Sequence, residues 1–366
     1  GRSKMKKMFK LGAIVLAVAL VLAGCGSRSD NQGAAPQQTG GSTGTSQPQG
    51  QTQGQSQGAA EDSYPKSPVT LIVPFSPGGS SDLLARAMAK VADKYLGQSL
   101  VVVNKPGGGA TIGWNELAES KPDGYTIGIT NISITLQPLY GGTKHNYPEA
   151  LEPIAQAATI PVVLAVLADS PWQTLEDFVN YAKEHPGEIK YGHAGLGTTT
   201  HVAGELVAQE AGIKIEQVPF EGGSQALTAF LGGHVHALFA NPPEVGEHVR
   251  SGKVRVLALT DEVRSKDPLY QDVPTFKEKG FDVVFTIWLG VGGPKGLPDN
   301  VKQKLAEAFK NIISDPEFVQ SAQNLGMDVN YLSPEEFGQK WKSESERYEK
   351  LVKETGIAEL IASQKN

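Results

Sequence analysis

Cysteine is almost missing from this sequence: Cys25 is the single one in 366 residues. An internal disulfide and a cysteine-based metal cluster are therefore both excluded. Basic residues are also scarce once the first segment is passed. Arg2, Lys4, Lys6, Lys7 and Lys10 precede Cys25, and 28 basic face 39 acidic residues after it, a net of −11. So acidic a chain offers no electrostatic footprint for nucleic acid. The longest apolar run, Leu11 to Leu22, has about twelve residues, well short of a usual transmembrane helix. A composition of 39% hydrophobic and 20% charged residues excludes a multi-span membrane protein and wholesale disorder. The length predicts about two domains.

What is present begins with an address. Lys4 to Lys10 is a basic stretch, Leu11 to Leu22 has the length of a signal-peptide core, and Leu22-Ala23-Gly24-Cys25 resembles a bacterial lipobox. That resemblance implies cleavage after residue 24, a diacylglyceryl group on Cys25, and lipid anchoring to the bacterial cell membrane at the outer face or in the periplasm. Residues 25–63 are Gln, Gly, Ser, Thr and Pro with few apolar side chains. Such a segment cannot bury enough surface to offset its ordering entropy, and a disordered tether is expected.

From Tyr64 the pattern changes to short apolar runs, glycine-rich polar loops and helical periodicity. Val69–Val73 reads as a strand, Pro74–Asp82 as a loop, and Leu83 to Tyr95 as a helix stopped by Gly97. Strands are also expected at 100–103, 125–130, 189–192, 214–220, 235–240 and 254–260. Helices are expected near 115–120, 174–185, 202–211, 224–231 and 244–251, with two long ones at 299–314 and 334–354 closing the chain. Alternating strands and helices predict an α/β fold with parallel sheets, whose ligands bind beyond the carboxyl ends of the strands. The loops Phe75–Asp82, Gly195–His201 and Phe220–Ser224 fall at such ends and contain no Lys or Arg. An anion held there would rest on amides, hydroxyls and water, without a guanidinium fork.

The stretches Val73-Pro-Phe-Ser-Pro-Gly-Gly-Ser-Ser-Asp82, Asn104-Lys-Pro-Gly107, Pro122-Asp-Gly-Tyr125, Tyr191-Gly-His-Ala-Gly-Leu-Gly-Thr-Thr-Thr-His201, Val218-Pro-Phe-Glu-Gly-Gly223 and Asp272-Val-Pro-Thr-Phe276 resemble the Bug-type solute-binding receptors of tripartite tricarboxylate transporters. The resemblance runs in order over 64–366. It implies a type II periplasmic-binding-protein fold, two α/β lobes with a ligand cleft between them. Lobe 1 is expected to combine 64–158 with 284–366, and lobe 2 to span 159–283. The implied ligand-binding set is Phe75, Ser76, Pro77, Gly78, Gly79, Ser80 and Asp82, Asn131, Ala194, Gly195, Gly197, Thr198, Thr199, Thr200 and His201, Phe220, Gly222 and Gly223, and Asn241. Where the family often has Asp-Asn, this chain has Ala240-Asn241, one charge fewer. The expected partners are a small carboxylate solute, membrane lipid through Cys25, and an integral-membrane permease of one large and one small subunit. No cofactor, catalytic residue or metal is implied.

Competing chemistries fit less well. Gly195-x-Gly-x-x-Thr200 falls short of a dinucleotide fingerprint, and the chain has no P-loop lysine motif. Gly222-Gly-Ser224-Gln-Ala226 nearly matches a nucleophile elbow but ends in Ala. A metal site would need His193, His201, His234 and His236 to converge with a carboxylate. The reading that remains is an extracytoplasmic solute receptor that performs no chemistry; the alternative is a cell-surface hydrolase or metal-binding lipoprotein on a similar fold.

Overall fold

The computed structural model describes residues 63–365; the basic stretch, the lipobox with Cys25 and all but the last residue of the expected tether lie outside them. Two sheets organise the chain. The first takes β1 (Val69–Val73), β2 (Leu100–Asn104), β3 (Thr126–Asn131) and β4 (Leu151–Pro161). The second takes β5 (Val163–Leu167), β6 (Lys190–His193), β7 (Glu216–Pro219), β8 (Ala237–Ala240) and β9 (Val254–Leu259). The chain then returns to the first sheet with β10 (Thr286–Pro294) and β11 (Asp328–Leu332). Their orders are β11-β4-β10-β3-β1-β2 and β7-β6-β8-β5-β9.

The expectation of parallel sheets needs correction, because both are mixed. β1, β2 and β3 are parallel, but β10 runs antiparallel to β3 and β4. In the second sheet β6, β7 and β8 are parallel and β5 opposes both β8 and β9. The reversed strands β5 and β10 follow directly on the two passages of the chain between the sheets. A helix also follows the two long ones, Ile357–Gln364, so Pro334–Glu354 is not the last.

Local chemistry accounts for the elements. Helix Asp299–Ser314 buries Val301, Leu305, Ala308, Phe309, Ile312 and Ile313, an i, i+4, i+7, i+8 stripe facing the sheet. Burying each of the larger side chains stabilises by about 1.5–3 kcal/mol. Helix Pro334–Glu354 starts in a capping box between Ser333 and Glu336. In the second sheet, alternate residues serve two separate cores. Leu164, Val166, Ala237 and Phe239 join the main core, while Val163, Ala165, Leu238 and Ala240 join a smaller one. Period-two alternation between two apolar faces is what a sheet covered on both sides requires.

The two lobes meet at a buried clasp. Val162, between β4 and β5, donates its N–H to Thr260 Oγ1 at 2.9 Å, and Thr260 Oγ1 donates to Phe285 O at 2.6 Å. Thr260 N–H returns to Val162 O, and Phe285 N–H to Thr260 O. Thr260 is fully buried, so one side chain ties together both passages of the chain between the sheets.

Candidate functional site

The carboxyl ends of β1, β3, β6, β7 and β8 open toward the line between the lobes. Four helices begin there: Ser80–Leu96, Thr199–Ala211, Gly223–Leu231 and Pro242–Arg250. The first N–H groups of a helix have no partner within it and carry partial positive charge. Starts of all four line one cleft, with Phe75 and Asn131, over a floor of Ile287 and Leu289 from β10; the fourth opens on Pro242-Pro243, which carry no N–H, so only the first three offer amides there. No Lys or Arg lines it. The donors it offers are backbone N–H groups and Ser, Thr and Asn side chains.

Each cleft loop is braced from behind. In the first lobe, Asp82 is buried and accepts from Gly78 N–H at 2.8 Å, Asn104 Nδ2 at 2.9 Å and Arg86 Nε at 2.9 Å. Burial pushes its pKa up, but the bonds from Arg86, Gly78 and Asn104 outweigh that and hold the carboxyl below its usual range. In the second lobe the braces are neutral. His193 and His201 are fully buried and stacked, ring centroids 4.2 Å apart. His193 Nε2 donates to Gln217 Oε1 at 2.7 Å, which leaves Nδ1 to accept from Gly195 N–H at 3.2 Å. His201 Nδ1 accepts from Gly197 N–H at 2.9 Å, Thr200 Oγ1 from Ala194 N–H at 3.0 Å, and Thr198 Oγ1 donates to Gly195 O at 2.7 Å. Burial, and then the neighbouring His201, push the His193 pKa well down.

The lobes touch across the cleft. Ser76 N–H donates to Glu221 O at 3.3 Å, Ser76 and Ser224 hydroxyls are 2.9 Å apart, and Gln137 Nε2 donates to Leu196 O at 2.8 Å. Deeper in, Glu244 Oε1 accepts from Ser80 N–H at 3.1 Å and Ser80 Oγ at 2.9 Å, while Oε2 accepts from Asn241 N–H at 3.0 Å. These approaches require glycine at two places. A Cβ on Gly222 would lie 2.2 Å from Ser76 Oγ, and one on Gly223 would lie 2.1 Å from Glu244 Oε1. The enclosed space is about 20 Å³, room for roughly one water. Entry of anything larger therefore requires the lobes to part. A wider groove of about 870 Å³ opens at the mouth, lined partly by Gly109, Tyr140, Gly195 and Phe220.

Of the residues expected from sequence, Phe75, Gly79, Ser80, Asn131, Ala194, Thr198, Thr199, Thr200, Gly223 and Asn241 line the cleft. Gly195 and Phe220 line the outer groove. Ser76 and Gly222 form the lobe contact, Pro77 and Gly78 are exposed, and Asp82, Gly197 and His201 act behind the loops. Sequence reasoning missed Ser81, Glu244, Ile287 and Leu289. Glu244 had a signal, because Asn241-x-x-Glu244 has the spacing of a capping box. Ile287 and Leu289 had none, since β10 is more than forty residues from any cleft loop. No group of three or more His, Cys, Asp or Glu set to hold a metal occurs among the described residues. His236 instead accepts from Lys190 N–H. No helix among them is long and apolar enough to cross a membrane.

Two α/β lobes joined by a double passage, with helix starts converging on the cleft, define a solute-binding protein. Residues 84–357 match the family described as the tripartite tricarboxylate transporter family receptor, and the chain belongs to that family. Among solved structures it resembles the periplasmic binding protein BugD, with 30% identity over 80% of this chain and 99% of that one at a TM-score of 0.77. It is similar to Rpa4515 of R. palustris, solved with adipate: 29% identity, 80% and 98% coverage, TM-score 0.76. MatC of Rhodopseudomonas palustris, solved with malate, shares 26% identity at 79% and 100% coverage and a TM-score of 0.74. The family and these neighbours are binding proteins rather than enzymes, and membership implies an extracytoplasmic location.

Proposed function

We propose that this chain captures a small carboxylate between its lobes and delivers it to a membrane permease of one large and one small subunit. The observation that carries the reading is the convergence of three amide-bearing helix starts on one cleft with no Lys or Arg in its lining. Amides and hydroxyls in that arrangement suit a compact oxyanion. The adipate and malate bound by two neighbours are of that class. The lipobox at Cys25 supports tethering of the receptor beside its permease. Two acyl chains on one cysteine suffice for stable attachment, so Cys25→Ser is expected to release the protein or leave it unprocessed; a cleaved, membrane-bound mutant would refute the anchor.

A thermal-shift screen of mono-, di- and tricarboxylates tests the cleft. A ligand at a hundred times its Kd stabilises by about 2.7 kcal/mol, so at least one acid should raise Tm by several degrees. A shift from sugars or metal ions, and from no carboxylate, would overturn the assignment.

A further inference from the structure

Glu244 is the one acidic side chain lining the cleft, and it sits where a solute anion would be drawn. Its counterpart Asp82 behind the first loop has a cation, Arg86, at 2.9 Å. Glu244 has none: its partners are Ser80 N–H, Ser80 Oγ and Asn241 N–H, all neutral. Capping its own helix needs one oxygen, and Oε2 provides it at Asn241. Oε1 does something else, since it reaches into the opposite lobe, to a residue 164 positions away in sequence. A carboxylate withdrawn from water with no counter-charge is costly. Consistent with that, burial raises its pKa despite three hydrogen bonds.

The other charged groups nearby do not serve as the missing partner. Arg86 is committed to Asp82, Arg250 on Glu244's own helix pairs with Glu247, and His193 and His201 point at loop amides and at each other. Glu221 across the loop contact is acidic. A solute bearing only carboxylates would place like charge beside Glu244. A solute with a cationic nitrogen would supply what the cleft lacks. A carboxylate can accept about four hydrogen bonds, and Glu244 receives three, which leaves an acceptor site. The starts of Thr199–Ala211 and Gly223–Leu231 remain for the solute's own carboxylate, because the bonds to Glu244 come from Ser80 and Asn241 alone.

We infer that Glu244 is a specificity-determining residue that pairs with an ammonium group, so that the solute is an amino acid in preference to the matching plain acid. The inference rests on the receptor reading above and narrows it. The test titrates the full-length protein calorimetrically at pH 7.5 with matched pairs: aspartate and succinate, glutamate and glutarate, alanine and propionate. At least one amino acid is expected to bind tenfold or more tighter than its partner. Glu244→Gln should weaken that amino acid at least tenfold more than it weakens the plain acid. Plain acids binding as tightly as amino acids in the unmutated protein would overturn the role of Glu244 while leaving the carboxylate receptor standing, and that measurement needs no variant to fold. A Glu244→Gln protein that keeps its amino-acid affinity would overturn it as well. Failure of every acid in both sets to bind would sink the carboxylate reading and this inference together.

Discussion

The two loops that close on the cleft do the same job by opposite chemistry. The Phe75–Ser81 loop is pinned by an ion: Asp82 gathers a backbone amide, an asparagine amide and a guanidinium. The Ala194–Thr200 loop is pinned by neutral groups: two imidazoles and the Thr200 hydroxyl accept loop amides, and the Thr198 hydroxyl donates to Gly195 O. A charged pin is strong and concentrated in one residue, whereas a neutral set spreads the work. The ionic pin also holds to low pH. Keeping the buried His193 imidazole neutral costs stability earlier, once pH falls below the ordinary imidazole value.

The comparison breaks most sharply at Asp82. Asp82→Ala removes the common acceptor of Gly78 N–H, Asn104 Nδ2 and Arg86 Nε, and about 2 to 3 kcal/mol of stability should be lost at pH 7. Urea unfolding measures it, and a loss under 1 kcal/mol would mean that the loop is held by something else. Acid distinguishes the lobes next. His193 has a depressed pKa in the folded protein, so its contribution is complete above the ordinary imidazole value near 6.5 and declines as pH falls below it. Between pH 7.5 and 5 that amounts to about 2 kcal/mol at most. Asp82, also depressed, keeps its contribution until pH falls below the usual aspartate value near 4. Urea unfolding should therefore show a stability loss between pH 7.5 and 5 that His193→Gln removes, because a side chain that does not titrate carries no such linkage. A pH dependence unchanged by that substitution would erase the distinction. The smallest effect belongs to one member of the neutral set: Thr200→Val should cost about 1 kcal/mol by the same urea measurement, and a loss as large as that of Asp82→Ala would contradict shared bracing.

Much of this was legible in the residues, for reasons that also explain the gaps. Helices 299–314 and 334–354 showed themselves because their buried stripes repeat at helical spacing and their starts carry Asp299 or the Ser333–Glu336 box. Helix Leu175–Glu184 was equally plain from Thr174, which forms a capping box with Asp177. β4 and β10 stayed hidden. Ala155, Ala157 and Ala158 give β4 little β-branched character, and Gly290, Gly292 and Gly293 interrupt β10. Both lie inside the first sheet, so the alternation that marks a half-exposed strand is absent. The same cause hid the cleft floor, because Ile287 and Leu289 belong to β10. The helix starts were set a few residues late, at Leu83 and Val202, since the polar Ser80–Asp82 and Thr199–His201 turns read as loop. Those polar first turns are what the cleft uses.

Thr260 has a consequence for how such a molecule can open. Two independent strands between rigid bodies would allow bending, twisting and sliding. A buried threonine that bonds Val162 on one passage and Phe285 on the other removes most of those freedoms, since twisting or sliding would break bonds that no water is near to replace. What remains is a swing about one axis, like a door on a pinned jamb. A single swing has a single open–shut equilibrium constant, and the apparent affinity for any solute is its intrinsic affinity scaled by the competent fraction. Loosening the pin would then shift the affinity for every solute by one common factor and leave the order of preference among solutes unchanged.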